Sequence, residues 1–385
     1  MLADILRAYK NKVLNKTTGV IHVPARGHKK GDVLLSFLTE PFTKAPREFF
    51  SDPHTNPWAC VALAEMLSER GCAVDIINWD NTTFIPRKPY RMCIDIQKNL
   101  ERLGPHLPKD CIKIYFILSS YAQFQNDAER TRLEALKARR GTELPMKRRE
   151  APTRAPAFAD YLVGYGNKTV YGTYAQFNKP VVPIPGPTMH QFPFPEGKDF
   201  EKARHEFLWF GGGGAVLKGL DLTLEALAGG PYQLHIVGPA AAEPEFAKVY
   251  AKELAAPNVH LYPRPRVDKG GRLTVGAEDF LAVMNKCAAI IFPSASEGGG
   301  ASALQAMHAG LIPIVTPTSG MSESAPATFV EPTVEAIRAA AETIARTEPA
   351  ALHERARACW EFARTRHTQA AFRAAWGKFF DTLGL

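Results

Sequence analysis

The chain has no run approaching the ~18 consecutive apolar residues that a membrane-spanning helix needs; its best, Ile114 to Leu118, has the length of a buried strand. It has no C-x-x-C pair among its six cysteines (Cys60, Cys72, Cys93, Cys111, Cys287 and Cys359), so neither zinc-ligand spacing nor a disulfide framework is present. The N-terminus has bases but no apolar h-region, so no secretion signal is read and a reducing, cytoplasmic setting is expected. Walker A spacing, G-x-G-x-x-G and Asp-x-Asp are all missing, which leaves no P-loop, no dinucleotide fingerprint and no obvious divalent-metal motif. Internal repeats and low-complexity tracts are absent as well.

What is present is ordinary globular composition, 45% hydrophobic and 22% charged over 385 residues, enough for two or three domains. The net charge of +8 is concentrated. Residues 1–30 carry seven bases against Asp4, and residues 130–154 carry nine against Glu134, Glu143 and Glu150. Each cluster contributes +6, leaving −4 elsewhere. Such clusters suit an anionic partner: a phosphorylated ligand, a membrane surface or nucleic acid. A nucleic-acid role is disfavoured because no aromatic residues are interleaved with the bases.

Apolar runs alternate with helical patterns, the signature of parallel sheets covered by helices. In the first half the strands read as Val33–Leu38, Ala73–Trp79 and Ile112–Leu118, with Tyr161–Val163 and Pro180–Ile184 as short candidates. A helix over 56–70 has Asn56 as N-cap and Gly71 as its stop, and Asp127–Arg140 reads as a charged helix with Leu133 and Leu136 inward. Six prolines between Pro180 and Pro195 form a stiff connector and place the domain boundary near residue 190. The alternation then restarts with strands at Phe207–Phe210, Gln233–Val237, Val259–Tyr262, Ala288–Phe292 and Ile312–Val315. The intervening helices read as Leu220–Leu227, Glu243–Leu254, Glu278–Lys286 and Ala301–His308. Helical stretches over 333–346 and 350–380 close the chain.

In open parallel sheets, ligands bind beyond the carboxyl ends of the strands. Three loops there carry chemistry. Gly211–Gly214 with Lys218 offers close backbone approach, Gly212, Gly213 and Gly214 supplying N–H groups and Lys218 a point charge for a phosphate. Glu297 followed by Gly298, Gly299 and Gly300, then Ala301 and Ser302 at a helix start, offers a carboxylate for sugar hydroxyls and N–H groups for an oxyanion; Gln305 lies near that mouth. Arg264, between Pro263 and Pro265, and Arg266, after Pro265, can clamp phosphates. In the first half, His54 and Asn56 lie in a loop that can point into the cleft, and Lys147, Arg148, Arg149 and Arg154 can draw in an anionic acceptor.

These pieces, in this order, resemble the donor domain of group 1 (family 4) retaining glycosyltransferases. The matching residues are Lys218-Gly219-Leu220-Asp221, the strand Leu234–Gly238, Pro293-Ser294 with Glu297-Gly298, the helix Ala303–Gly310 with Pro313, and Gly320 and Glu323. The first half is similar to the family's acceptor domain more weakly, in the helix Asn56–Gly71 and the strand Ala73–Asn78. The resemblance implies an α/β GT-B-like fold, two Rossmann-type doubly wound lobes facing across a cleft. The lobes would be residues 1–190 (acceptor side) and 191–365 (donor side), with a C-terminal helix over 366–385 packing back on the first. It implies transfer of a sugar from a nucleoside-diphosphate sugar to a saccharide or lipid-linked acceptor, retaining and metal-independent, with no cofactor. Glu297, Lys218 and His54 would carry the chemistry.

Two departures from the family pattern stand out. The family grips the donor pyrophosphate with an Arg and a Lys five residues apart; Lys218 matches the Lys, but the Arg position falls on Gly213. Of the family's two glutamates, Glu297 matches the first, while Gln305 replaces the ribose-binding second. The expectation is compensation by Arg264 or Arg266, or weakened catalysis. The rival readings are a nucleotide-sugar-binding protein without turnover and an epimerase or phosphorylase on the same fold. A phosphorylase would normally show a pyridoxal-binding lysine context, and none is identified. Peripheral contact with a membrane through the N-terminal bases is a further expectation.

Overall fold

The computed structural model describes residues 2–44, 55–268 and 272–385. The first lobe is a seven-stranded sheet of β1 (Val20–Val23), β2 (Gly31–Phe37), β3 (Cys72–Asn78), β4 (Met92–Asp95), β5 (Ile112–Ile117), β6 (Tyr161–Gly164) and β7 (Val181–Pro183), in the order β1-β3-β2-β4-β5-β6-β7. All pairs are parallel except β1, which runs antiparallel to β3 along one edge. Both faces are covered, so β2 and β3 are runs of buried apolar residues rather than alternating ones. One face packs on helix Thr55–Glu69, whose Ala59, Ala62 and Ala64 are buried and whose Trp58, Leu63 and Leu67 fill the core. The other face buries Leu34, Ile77, Cys93, Tyr115 and Leu162.

The second lobe is a six-stranded parallel sheet: β8 (Glu206–Phe210), β9 (Gln233–Val237) and β10 (Val259–Tyr262), then, beyond a small antiparallel sheet of β11 (Arg266–Val267), β12 (Leu273–Val275) and β13 (Glu278–Asp279), β14 (Ala289–Phe292), β15 (Ile312–Val315) and β16 (Thr328–Phe329). Its order, β10-β9-β8-β14-β15-β16, reverses direction between β8 and β14. In such doubly wound sheets that reversal opens the crevice where ligands bind.

Several elements differ from the sequence reading. Strands β1 and β4 and a first helix, Leu2–Thr18, are additional. Helix Ala122–Arg140 starts five residues before the expected Asp127, because the polar side chains of its first turns, Gln125 and Asn126, are buried rather than solvated. Its Leu133 and Leu136 belong to the core of the second lobe. The expected helix over 350–380 is two helices, Pro349–Arg366 and Gln369–Thr382, because Thr368 caps the second by accepting from the Ala371 N–H. The second of these carries Phe372, Trp376, Phe379 and Phe380 into the core of the first lobe, where Trp376 meets Phe116 at 5.1 Å between ring centres. Asn56 lies in the first turn of its helix rather than ahead of it.

The chain therefore passes between lobes twice, through the proline connector and again at His367. The crossings touch: Thr188 Oγ1 donates to the His367 carbonyl at 2.7 Å and sits 2.6 Å from His308 Nε2. Burial pushes both His308 and His367 down to about 4, keeping the imidazoles neutral at this junction.

Candidate active site at the sheet reversal

The loops after β8 and β14 meet. A tight turn over 214–219, in which Lys218 N donates to the Gly214 carbonyl at 2.9 Å, aims Lys218 toward β14. Lys218 Nζ forms an ion pair with Glu297 Oε1, and both side chains are largely buried, 11% and 16% exposed. Ser294 Oγ donates to the same carboxylate oxygen at 2.9 Å, and the ammonium lies 5.9 Å from the centre of the Phe292 ring. A cation and a carboxylate are thus fixed at the mouth of the second sheet, restrained by a hydroxyl and an aromatic face.

The glycines around them have separate environments. Gly212 faces open space. A Cβ on Gly213 would lie 3.4 Å from Glu243 Oε1, and the Glu243 carboxylate accepts from the N–H groups of Gly214 at 2.5 Å and Ala215 at 3.3 Å. One of the amides expected to face a phosphate, that of Gly214, is therefore spent on an internal carboxylate together with its neighbour Ala215, a feature that nothing in the sequence around Glu243 signals. Gly298 backs onto the first lobe so closely that a Cβ would fall 2.0 Å from the Leu118 carbonyl oxygen. Beside it Ser120 donates to the Glu297 carbonyl through both N, at 3.1 Å, and Oγ, at 3.0 Å. Gly299 lies against Tyr165, and Gly300 precedes helix Ala301–Met307, whose first residues Ala301 and Ser302 are exposed and half-buried.

Gln305 does not reach the Lys218–Glu297 pair. Its Nε2 donates to the His190 carbonyl at 2.7 Å and its Oε1 accepts from the His190 N–H at 3.3 Å, so both ends of the amide hold the interlobe connector. Arg264 and Arg266 are exposed on the segment that follows β10; no hydrogen bond or ion pair joins them to that pair among the described residues. His54 lies outside the described residues.

The lobes are tied together around this site. Arg132, 7% exposed, donates to the Pro293 carbonyl at 2.7 Å. Arg139 pairs with Asp221 at 2.6 Å and Glu225 at 3.0 Å, and Arg140 with Glu225 and Glu253. Burial pushes the Asp221 carboxyl up to about 6 against the pull of Arg132 and Arg139. Lys147 pairs with Glu245 at 2.8 Å, and Asn167 Nδ2 donates to the carbonyls of Pro317 and Met321. Three bases of the second cluster, Arg139, Arg140 and Lys147, are thus matched by acids of the other lobe. Among the described residues no three His, Cys, Asp or Glu side chains converge to hold a metal ion.

Two doubly wound lobes with a cation and a carboxylate at the sheet reversal define the GT-B class. Residues 204–358 match the family of glycosyl transferases, group 1. No curated protein matches the chain in sequence. Among solved structures, HepE of Anabaena, in complex with UDP and glucose, superposes with TM-score 0.54 at 11% identity, covering 91% of this chain and 100% of its own. Sucrose-phosphate synthase of Thermosynechococcus elongatus gives 0.58 at 14%, covering 91% and 98%. WaaG, a glycosyltransferase involved in lipopolysaccharide biosynthesis, gives 0.50 at 15%, covering 89% and 98%. At these identities the likeness is one of fold.

Proposed function

We propose that the protein transfers a glycosyl group from a nucleoside-diphosphate sugar to an acceptor hydroxyl, with retention at the anomeric carbon and without a metal ion. The observation that carries this reading is the Lys218–Glu297 pair at the sheet reversal, inside the domain that matches the group 1 family. Breaking the bond between the sugar's anomeric carbon and the diphosphate oxygen builds negative charge on the leaving phosphate. Lys218 is placed to meet that charge, and Glu297 to orient the sugar through its hydroxyls. The acceptor oxygen bonds to the anomeric carbon on the face the phosphate leaves, and its proton passes to the departing phosphate. No protein nucleophile is required, and the transferred sugar is taken to be a hexose.

The acceptor is taken to be a saccharide or a lipid-linked saccharide. Helix Leu2–Thr18 supports contact with an anionic membrane surface: Lys10, Lys12 and Lys16 are exposed there with Tyr9, 68% exposed, and Val13, 45% exposed. No helix among the described residues is long and apolar enough to cross a membrane. We place the protein in the cytoplasm, where its six buried, free cysteines would stay reduced.

A second reading, a donor-binding protein without turnover, is favoured by one observation: Gln305 spends its amide on His190 rather than facing outward for a ribose. Incubating the protein with UDP-, GDP-, ADP- and dTDP-sugars separates the two. Release of nucleoside diphosphate, by transfer or slow hydrolysis, supports the enzyme. Donor binding with no release supports the binding protein.

A further inference from the structure

The family's pyrophosphate-binding arginine position is empty here, since Gly213 occupies it. The expected substitutes, Arg264 and Arg266, form no hydrogen bond or ion pair with the Lys218 loop among the described residues. An arginine at 213 itself would begin beside Glu243 Oε1, 3.4 Å from its Cβ, and that carboxylate would capture it.

A different arginine does reach this loop, from the other lobe. Arg148 lies across Gly214: a Cβ on Gly214 would fall 2.5 Å from Arg148 Cγ and 3.3 Å from its Cδ. With φ at +92°, Gly214 also holds a conformation that side chains disfavour, so a glycine here both permits the turn and leaves room for the arginine stem. The same Gly214 accepts from the Lys218 N–H through its carbonyl. Arg148 and Lys218 therefore flank one short loop from opposite lobes.

The segment bearing Arg148 is laid down by buried polar side chains. Gln125, Asn126 and Glu129, 4%, 7% and 2% exposed, lie within two turns of helix Ala122–Arg140. Glu129 accepts from the N–H groups of Lys147 at 2.8 Å and Arg148 at 3.1 Å. Gln125 donates to the Arg148 carbonyl at 2.7 Å, and Asn126 holds both N–H and carbonyl of Glu150 at 2.8 Å. Burying three polar side chains to fix a surface segment is costly unless each is satisfied, and here they are satisfied by that segment's backbone. While Lys137, Arg139, Arg140 and Lys147 nearby are ion-paired, the Arg148 guanidinium is exposed with no ion-pair partner among the described residues.

We propose that Arg148 binds the donor diphosphate in trans, supplying across the cleft the guanidinium contact that Gly213 removes from the donor lobe. This rests on the donor-site reading given above. A planar guanidinium can engage two phosphate oxygens where a lysine offers a point charge. Because Arg148 belongs to the opposite lobe, its contact forms only with the lobes together and couples donor binding to that arrangement.

The test is calorimetric titration of the full chain with UDP, GDP, ADP and dTDP and with the matching nucleosides. It is run on wild type, Arg148→Gln, Arg148→Lys and Lys218→Ala. Arg148→Gln keeps part of the stem and removes the charge. The expected result is roughly tenfold to hundredfold weaker diphosphate binding in Arg148→Gln, the range of one charge-assisted hydrogen bond, with nucleoside binding unchanged and Arg148→Lys in between. Wild-type diphosphate affinity in Arg148→Gln, with Lys218→Ala still weakened, overturns this proposal and leaves the donor site standing. Equal losses for nucleoside and diphosphate overturn it too, since a spacer would act on both. Failure of the wild type to bind any of the diphosphates overturns the donor-site reading and this proposal together.

Discussion

Lys218 and Glu297, separated by 79 positions in the chain, form an ion pair where the loops after β8 and β14 converge. A buried pair of this kind is costly to desolvate and is weak evidence for stability by itself. The function proposed above accounts for its position: Lys218 would meet the charge developing on a leaving phosphate, and Glu297 would orient the sugar.

Glu297→Ala is therefore expected to lose glycosyl transfer by about two orders of magnitude or more, as for removal of an electrostatic contact in a preorganised site. Nucleoside diphosphate binding should survive. A donor-turnover assay beside calorimetry checks both; unchanged turnover would remove Glu297 from the chemistry.

The contact between helix Ala122–Arg140 and helix Leu220–Leu227 depends on Arg139 and Asp221. Arg139→Met leaves a buried carboxylate without its closest partner and should cost about 3 kcal/mol, the lower end for a broken buried pair because Arg132 stays nearby. The double variant with Asp221→Asn should cost less than the sum. Urea unfolding of the four proteins measures the coupling.

His308 sets a pH dependence. Burial depresses its folded value to about 4, so between the ordinary histidine range and about 4 the unfolded chain binds the extra proton. This contribution is present at neutral pH and is lost as pH falls through that window. His308→Gln, which keeps a partner for Thr188, should give a shallower fall in Tm between pH 7 and 4.5. Parallel curves for the two proteins would show that His308 is not held neutral.

Trp376 is fully buried against Phe116 and Phe380, although it comes from the end of the chain and the core is that of the first lobe. Trp376→Ala should cost about 3–5 kcal/mol, the range for truncating a large buried aromatic. Chemical denaturation reads it, and a cost under about 1 kcal/mol would mean that the helix docks only loosely.

The parts of this arrangement that sequence made legible are those that local chemistry dictates. The residues of β14 are an unbroken apolar run because the strand is covered on both faces, and Lys218 and Glu297 stand out because they follow strand ends among glycines. What stayed hidden depends on distant chain segments. The pairing of Gln305 with His190 is set by where the proline connector crosses. The N–H groups of Gly214 and Ala215 are taken by Glu243, which arrives from beyond β9. Helix Ala122–Arg140 begins early because Gln125 and Asn126 are satisfied by residues 148–150, so the polar start that read as loop is a buried face. Of the second basic cluster, read as an attraction for an anionic partner, Arg139, Arg140 and Lys147 are paired with Asp221, Glu225, Glu245 and Glu253 of the other lobe.

The most direct test of a donor site at the sheet reversal is a thermal-shift titration with UDP, GDP, ADP and dTDP, on wild type and Lys218→Ala side by side. The account predicts that at least one diphosphate at millimolar concentration raises the wild-type Tm and that Lys218→Ala loses most of the rise. No rise with any of the four, or an equal rise in both proteins, would contradict it.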